Sequence, residues 1–88
     1  MTLRDAIRAV YAEVSAPAWA APNLDGLADV LRDLSWLPEG AVFITRPALD
    51  DVAADDAERL MSVLLQAVAE TTDGPRPVRV VESETDLE

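Results

Sequence analysis

The chain has 88 residues, half of them hydrophobic, and its 17 acidic and 7 basic side chains give a formal net charge of −10. This length accommodates one small domain, the apolar content is too high for a disordered acidic tail, and the charge disfavours nucleic acid and anionic membranes while favouring a basic partner. Cysteine and histidine are absent, which excludes disulfides, thiolate nucleophiles and zinc fingers and removes the commonest general base and metal ligand.

The first predicted helix begins after Thr2, which can cap it, with Asp5 three residues later as a capping-box partner. Its apolar face comprises Leu3, Ile7, Val10, Tyr11 and Val14. The helix should end near Ser15, because Pro17 disfavours helical backbone at the residue before it.

The N-terminal segment is not typical of a targeting signal. Residues 1–10 mix acids with bases and lack a continuous apolar stretch. No apolar run approaches the roughly 20 residues that span a bilayer. The sequence therefore predicts a cytoplasmic protein.

Residues 17–22 are predicted to form a proline-bounded loop with Trp19 at its centre, and Asn23 is predicted to cap a second helix over residues 24–34. One stripe of this helix is apolar and comprises Leu24, Leu27, Leu31 and Leu34. At about 100° per residue, the opposite side carries carboxylates at Asp25, Asp29 and Asp33. Such a stripe is common on soluble helices, but beside an aromatic side chain it is also typical of a surface that binds a basic cleft.

Residues 41–45 form a short, almost wholly apolar run, which predicts a parallel strand buried on both faces. A long helix is predicted to continue to about Glu70, and residues 78–81 are predicted to form a second strand. The start of the long helix region is marked by Asp50, Asp51, Asp55 and Asp56. The positive end of a helix dipole accounts for these acids, and their spacing does not follow the calcium-loop pattern.

The order helix, helix, strand, helix, strand joins two strands through a helical crossover, which predicts a parallel and right-handed pair. The sequence therefore predicts one α/β domain over residues 1–81, in which three to four helices cover a two-stranded parallel sheet. Residues 82–88 are predicted to be an acidic C-terminal tail that frays.

Catalysis has little support in the sequence. There is no lysine, and the serines have no base arranged near them by a known motif. No glycine-rich phosphate loop is present, and Asp25 and Asp29 on an open helix lack the pocket that would raise the pKa of one of them. The sequence predicts no enzyme, no cofactor and no metal site, and it favours protein binding.

The segment over residues 17–31, P-A-W-A-A-P-N-L-D-G-L-A-D-V-L, resembles the barstar family of ribonuclease inhibitors. Members carry a proline, two aromatics and a glycine, followed by Asn-Leu-Asp-x-Leu-x-Asp-x-Leu, and a weaker collinear match continues through residue 81. The resemblance implies a barstar-like fold that lacks the family's first edge strand. It also implies a 1:1 complex in which the loop and second helix plug the active site of a small, basic, guanyl-preferring microbial ribonuclease.

The resemblance assigns roles to residues of the loop and second helix. Asp29 matches the dominant interface aspartate, which occupies the phosphate site of the enzyme, and Asp25 matches the second interface aspartate. The other predicted contacts are Trp19, Asn23, Leu24, Gly26, Arg32 and Asp33. Asp29 would stand in for the substrate phosphate and accept hydrogen bonds from arginines and a protonated histidine of the nuclease.

Departures from the family pattern are found at Ala20, Ala21, Ala28 and Gln66, where an aromatic, a glycine, a tryptophan and a glutamate are usual. They imply a different target or a lower affinity. Two other functions stay open: an immunity protein for a toxin of another activity, as in a toxin–antitoxin pair, and an acidic interaction domain with a non-nuclease partner. Trp19 could also fold over the core, and Trp36 is predicted to pack in the core or at the strand end.

Overall fold

The computed structural model describes residues 2–47 and 49–82. Its elements in chain order are α1 Leu3–Glu13, α2 Leu24–Asp33, β1 Val42–Thr45, α3 Ala54–Thr71 and β2 Val78–Val81. The predicted acidic tail falls outside the described residues from position 83 onward.

The two strands pair in parallel, with Val42 opposite Val78 and Thr45 opposite Val81. Helix α3 lies between them in the chain and forms the crossover connection. The α/β architecture with a two-stranded parallel sheet, predicted from the order of elements, is confirmed.

Helix α1 begins with the predicted capping box. The Asp5 N–H donates to the Thr2 hydroxyl at 3.1 Å, and the Thr2 N–H donates to the Asp5 carboxylate at 3.2 Å, which lowers the pKa of Asp5. The helix ends at Glu13, before the predicted Ser15. Ser15 has a φ of 53°, and this left-handed backbone stops the helix two residues early.

Helix α2 has a side-chain cap at its start and a left-handed residue after its end. The Gly26 N–H donates to the Asn23 side-chain oxygen at 2.7 Å, as the sequence predicted for an N-cap. Leu34 has a φ of 49° and serves as the C-cap, so the helix stops at Asp33.

The core lies between the helices and one face of the sheet. Its fully buried large side chains are Ile7, Val10, Val14, Leu27, Val30, Leu31, Leu34, Ile44, Leu60, Leu64 and Val78. Within the described part of the chain, no polar or charged side chain is buried. The core is therefore held by apolar packing contributed by every helix and both strands.

The prediction that both faces of β1 are buried is wrong. Ile44 is buried, but the neighbouring Phe43 is 55% exposed, and Arg79 opposite Phe43 is exposed as well. Side chains alternate between the two faces of a strand, so the described helices cover one face only. A short apolar run does not show whether a strand is covered on one face or on both. When the open face carries an aromatic residue such as Phe43, the two cases have the same apolar sequence.

The outer edge of β1 is partly closed by a side chain from α1. On the side that faces β2, the Val42 N–H donates to the Pro77 carbonyl at 2.8 Å, and the Arg46 N–H donates to the Val81 carbonyl at 2.6 Å. The Thr45 N–H, pointing away from β2, donates to the carboxylate of Glu13 at 2.9 Å. A carboxylate therefore accepts the hydrogen bond that a further strand would otherwise accept.

Helix α3, at 18 residues, is the longest described helix, and no helix in the described ranges is long and apolar enough to cross a membrane. Asp55 and Asp56 lie in its first turn, in agreement with the helix-dipole interpretation. Asp50 and Asp51 lie in a turn that precedes the helix, so the dipole does not account for them.

Candidate partner-binding surface

All predicted contact residues lie on one continuous segment, which consists of the loop over residues 17–22 and the capped helix α2. Trp19 is 64% exposed at the centre of the loop. The exposed side of α2 carries Asp25, Asp29 and Asp33, here called the acidic face. The structure thus exposes both the tryptophan of the loop and the carboxylates of α2 to solvent.

The orientation of α2 is fixed by its apolar side. Leu27 and Leu31 are each 0% exposed and belong to the core, while the Asp29 side chain on the opposite side is 71% exposed. Because the helix cannot rotate without exposing these leucines, its carboxylates are held facing solvent.

Two of the predicted contact residues also have structural roles. Asn23 caps α2 through its side chain, and Leu24 is partly buried against the core. A partner would therefore contact these residues as fixed parts of the helix start.

Arg32 is a cation adjoining the acidic face and links α2 to α3. Its Nε donates to the Glu70 carboxylate at 3.2 Å, and its Nη1 lies 3.9 Å from an Asp29 oxygen. Gln66 donates to the other Glu70 oxygen at 2.8 Å. These groups are largely solvent-exposed, so each ion pair contributes about 0–1 kcal/mol to stability, and Asp29 stays accessible to an incoming cation.

A shallow hollow of about 30 Å³ lies between α2 and α3 next to this network. Its lining comprises Ala28, Arg32, Val63, Gln66, Ala67 and Glu70. The volume is about that of one water molecule and far below the roughly 300–1,000 Å³ of a small-molecule pocket. The hollow is therefore too small for a small-molecule substrate.

The ring of Trp19 packs against the ring of Trp36. The two ring centroids are 6.3 Å apart with an interplanar angle of 89°, an edge-to-face arrangement worth about 0.5–1.5 kcal/mol. The Trp36 indole N–H donates to the Val14 carbonyl at 2.9 Å, and its ring packs on the core. Trp19 does not fold over the core, whereas Trp36 packs as the sequence predicted.

Tyr11 of α1 is partly buried against the core, in agreement with its predicted place on the apolar face, but its contact with the loop was not predicted from the sequence. Its hydroxyl donates to the Ala21 carbonyl at 2.5 Å. A Cβ on Gly26 would overlap that same carbonyl and lie 3.1 Å from the tyrosine oxygen. Burial and, to a smaller extent, the negative charge of Asp29 raise the pKa of Tyr11.

The described residues offer no cluster of three or more His, Cys, Asp or Glu side chains arranged to hold a metal ion. What the surface presents instead is a row of exposed carboxylates on α2 and an exposed indole in the loop that precedes it. Chemically, this arrangement accepts charge-assisted hydrogen bonds and buries an aromatic ring against another surface.

A family model described as Barstar (barnase inhibitor) matches residues 1–83. Comparisons with curated proteins and with solved structures find no match. The family match extends over every described helix and strand, and so over far more of the chain than the motif at residues 17–31.

Proposed function

The chain belongs to the barstar family of barnase inhibitors, and on this premise we propose that it inhibits a small, basic, secreted ribonuclease by covering the active site of the enzyme. The observation that carries the proposal is the acidic face of α2, held outward by buried Leu27 and Leu31. The inhibitor would act in the cytoplasm of the producing cell as one partner of a 1:1 complex, without chemistry of its own.

The mechanism combines electrostatic and steric occlusion. Asp29, in the middle of α2, occupies the position of a substrate phosphate and accepts hydrogen bonds from the cationic groups of the nuclease. Asp25, one turn earlier, extends the same row of carboxylates. Trp19 adds apolar contact area at low cost in side-chain entropy, because its ring is already held against Trp36.

The side of α2 that faces α3 supports a target that differs from barnase in detail. Ala28 and Gln66, both departures from the family pattern, line the hollow beside Arg32 and Glu70. This region carries the Arg32 cation, the Glu70 carboxylate and a neutral amide, so a complementary enzyme would present a mixed rather than a purely cationic rim there.

An inhibition titration tests the proposal. The purified chain is added to barnase and to a panel of other small basic ribonucleases, and residual RNA cleavage is measured against inhibitor concentration. We expect at least one enzyme to be inhibited with 1:1 stoichiometry. A folded chain that inhibits none of them, or that instead protects against a toxin of another activity, would contradict ribonuclease inhibition.

The rate of association with the nuclease is expected to fall steeply as salt is added. A chain with a net charge of −10 approaching a cationic cleft is steered by long-range attraction, which salt screens. Stopped-flow association rates should decrease by about tenfold or more between low and high ionic strength. Asp25→Asn serves as the control and should show a shallower dependence, whereas a rate indifferent to salt would exclude steering.

A further inference from the structure

We propose that Tyr11 is a positioning residue of the partner-binding surface, because its hydroxyl holds the loop over residues 17–22 against α2 in the form that contacts the nuclease. The inference rests on the proposed function and extends it to a residue of α1, outside the loop and helix to which the family resemblance assigns contacts.

The contacts of the Tyr11 hydroxyl join three parts of the fold. Tyr11 lies on α1, the carbonyl that it binds belongs to Ala21 in the loop, and both oxygens lie over Gly26 of α2. The loop approaches α2 this closely only because residue 26 has no side chain. Asp29 lies one turn after Gly26 on the same helix, so the junction adjoins the centre of the acidic face.

The loop has few other attachments. Its side chains apart from Trp19 are prolines and alanines, of which Ala20 is partly buried against the core. Trp19, at the centre of the loop, contacts Trp36, and near the end of the loop the Ala21 carbonyl accepts a hydrogen bond from the Tyr11 hydroxyl. Those two attachments, with the packing of Ala20 on the core, set the position of the loop relative to α2.

Attachment of the loop before binding matters for affinity. A loop that moves freely in the unbound inhibitor must be ordered when the complex forms, and the cost of ordering is subtracted from the binding free energy. Trp19 is the exposed aromatic side chain of the loop, so displacement of the loop also displaces Trp19 from its place against Trp36. Tyr11 thus acts on the partner through the loop.

The first test variant is Tyr11→Phe, which keeps the ring and removes the hydroxyl. In the free protein we expect backbone amide exchange at Ala20 and Asn23, whose N–H groups bond within the loop, to accelerate about tenfold. The dissociation constant with an inhibited ribonuclease should rise about fivefold to tenfold, the effect of losing one neutral hydrogen bond.

The matched control is Thr2→Ala, which removes the capping box at the far end of the same helix. It should lower stability by an amount similar to the first variant while leaving amide exchange in the loop and the dissociation constant unchanged. The control therefore separates the position of the loop from the stability of α1.

A second variant, Gly26→Ala, displaces the loop from the other side. The new Cβ would overlap the Ala21 carbonyl, so amide exchange in the loop and the dissociation constant should both rise although Tyr11 is intact. Alanine favours helix over glycine, so loss of binding without loss of helix cannot be attributed to a weakened α2.

Unchanged amide exchange in Tyr11→Phe would overturn the proposal, as would faster exchange combined with unchanged binding. If the parent chain inhibits no basic ribonuclease while exchange at Ala20 and Asn23 still accelerates in Tyr11→Phe, the proposed function fails and the attachment of the loop is supported. The two failures are therefore distinguishable.

Discussion

Replacing Asp29 by alanine is expected to weaken the complex with the target ribonuclease more than any other single truncation of the acidic face. Asp29 lies mid-helix, where the cations of the enzyme would be most completely shielded from water. Removing Asp29 leaves these cations buried in the interface without a partner. The cost is about 2–5 kcal/mol, which raises the dissociation constant roughly 30-fold to several-thousand-fold. Inhibition titrations of the variant and the parent chain measure this difference directly.

Neighbouring truncations provide the comparison. Asp25→Ala and Trp19→Ala should follow Asp29→Ala in magnitude, whereas Asp33→Ala, at the rim, should cost about 1 kcal/mol or less because water screens it. Folding of Asp29→Ala should be little affected, since relief of repulsion from Asp25 and Asp33 offsets the loss of the exposed 3.9 Å pair with Arg32. If Asp29→Ala inhibits as well as the parent chain, the role carried over from the family is wrong at its central residue.

Replacing Leu31 by alanine is expected to lower the free energy of unfolding by about 2–5 kcal/mol. Leu31 is 0% exposed and holds α2 to the core, so its truncation removes apolar contacts and leaves a cavity. This loss is a large part of the roughly 5–15 kcal/mol that stabilises a typical domain. Urea denaturation followed by circular dichroism measures the change.

Leu65→Ala is the matched control, because Leu65 is 58% exposed on α3 and its truncation should change stability by no more than about 0.5 kcal/mol. Under conditions in which Leu31→Ala is still folded, this variant should inhibit the target ribonuclease as well as the parent chain does. Equal destabilisation by the two leucine variants would contradict the assignment of Leu31 to the core and of Leu65 to the surface.

Features set by neighbouring residues could be predicted from the sequence. The caps at Thr2 and Asn23 depend on side chains and N–H groups three residues apart, and both are present as predicted. The strand over residues 78–81 and the parallel crossover followed from a short apolar run and the order of elements. The predicted contact residues are close in the chain because they belong to a single loop and the helix that follows it.

Contacts between residues far apart in the chain could not be predicted in this way. Arg32 bonds to Glu70 across a separation of 38 positions, and the indole of Trp36 bonds to Val14 across 22. Tyr11 was assigned to the core by its spacing, since periodicity reports which way a side chain points but does not show what its polar tip meets. The exposure of Phe43 depends likewise on which helices cover the sheet.

The hydrogen bond from the Thr45 N–H to the Glu13 carboxylate affects self-association of the chain through the outer edge of β1. An inhibitor protects a cell only while its free copies outnumber the enzyme, so loss of copies to self-association would weaken protection. A second molecule aligning its backbone with β1 would meet a negative charge at Thr45 and the mutual repulsion of two chains that each carry −10. Both effects oppose the pairing of a second molecule along the outer edge of β1.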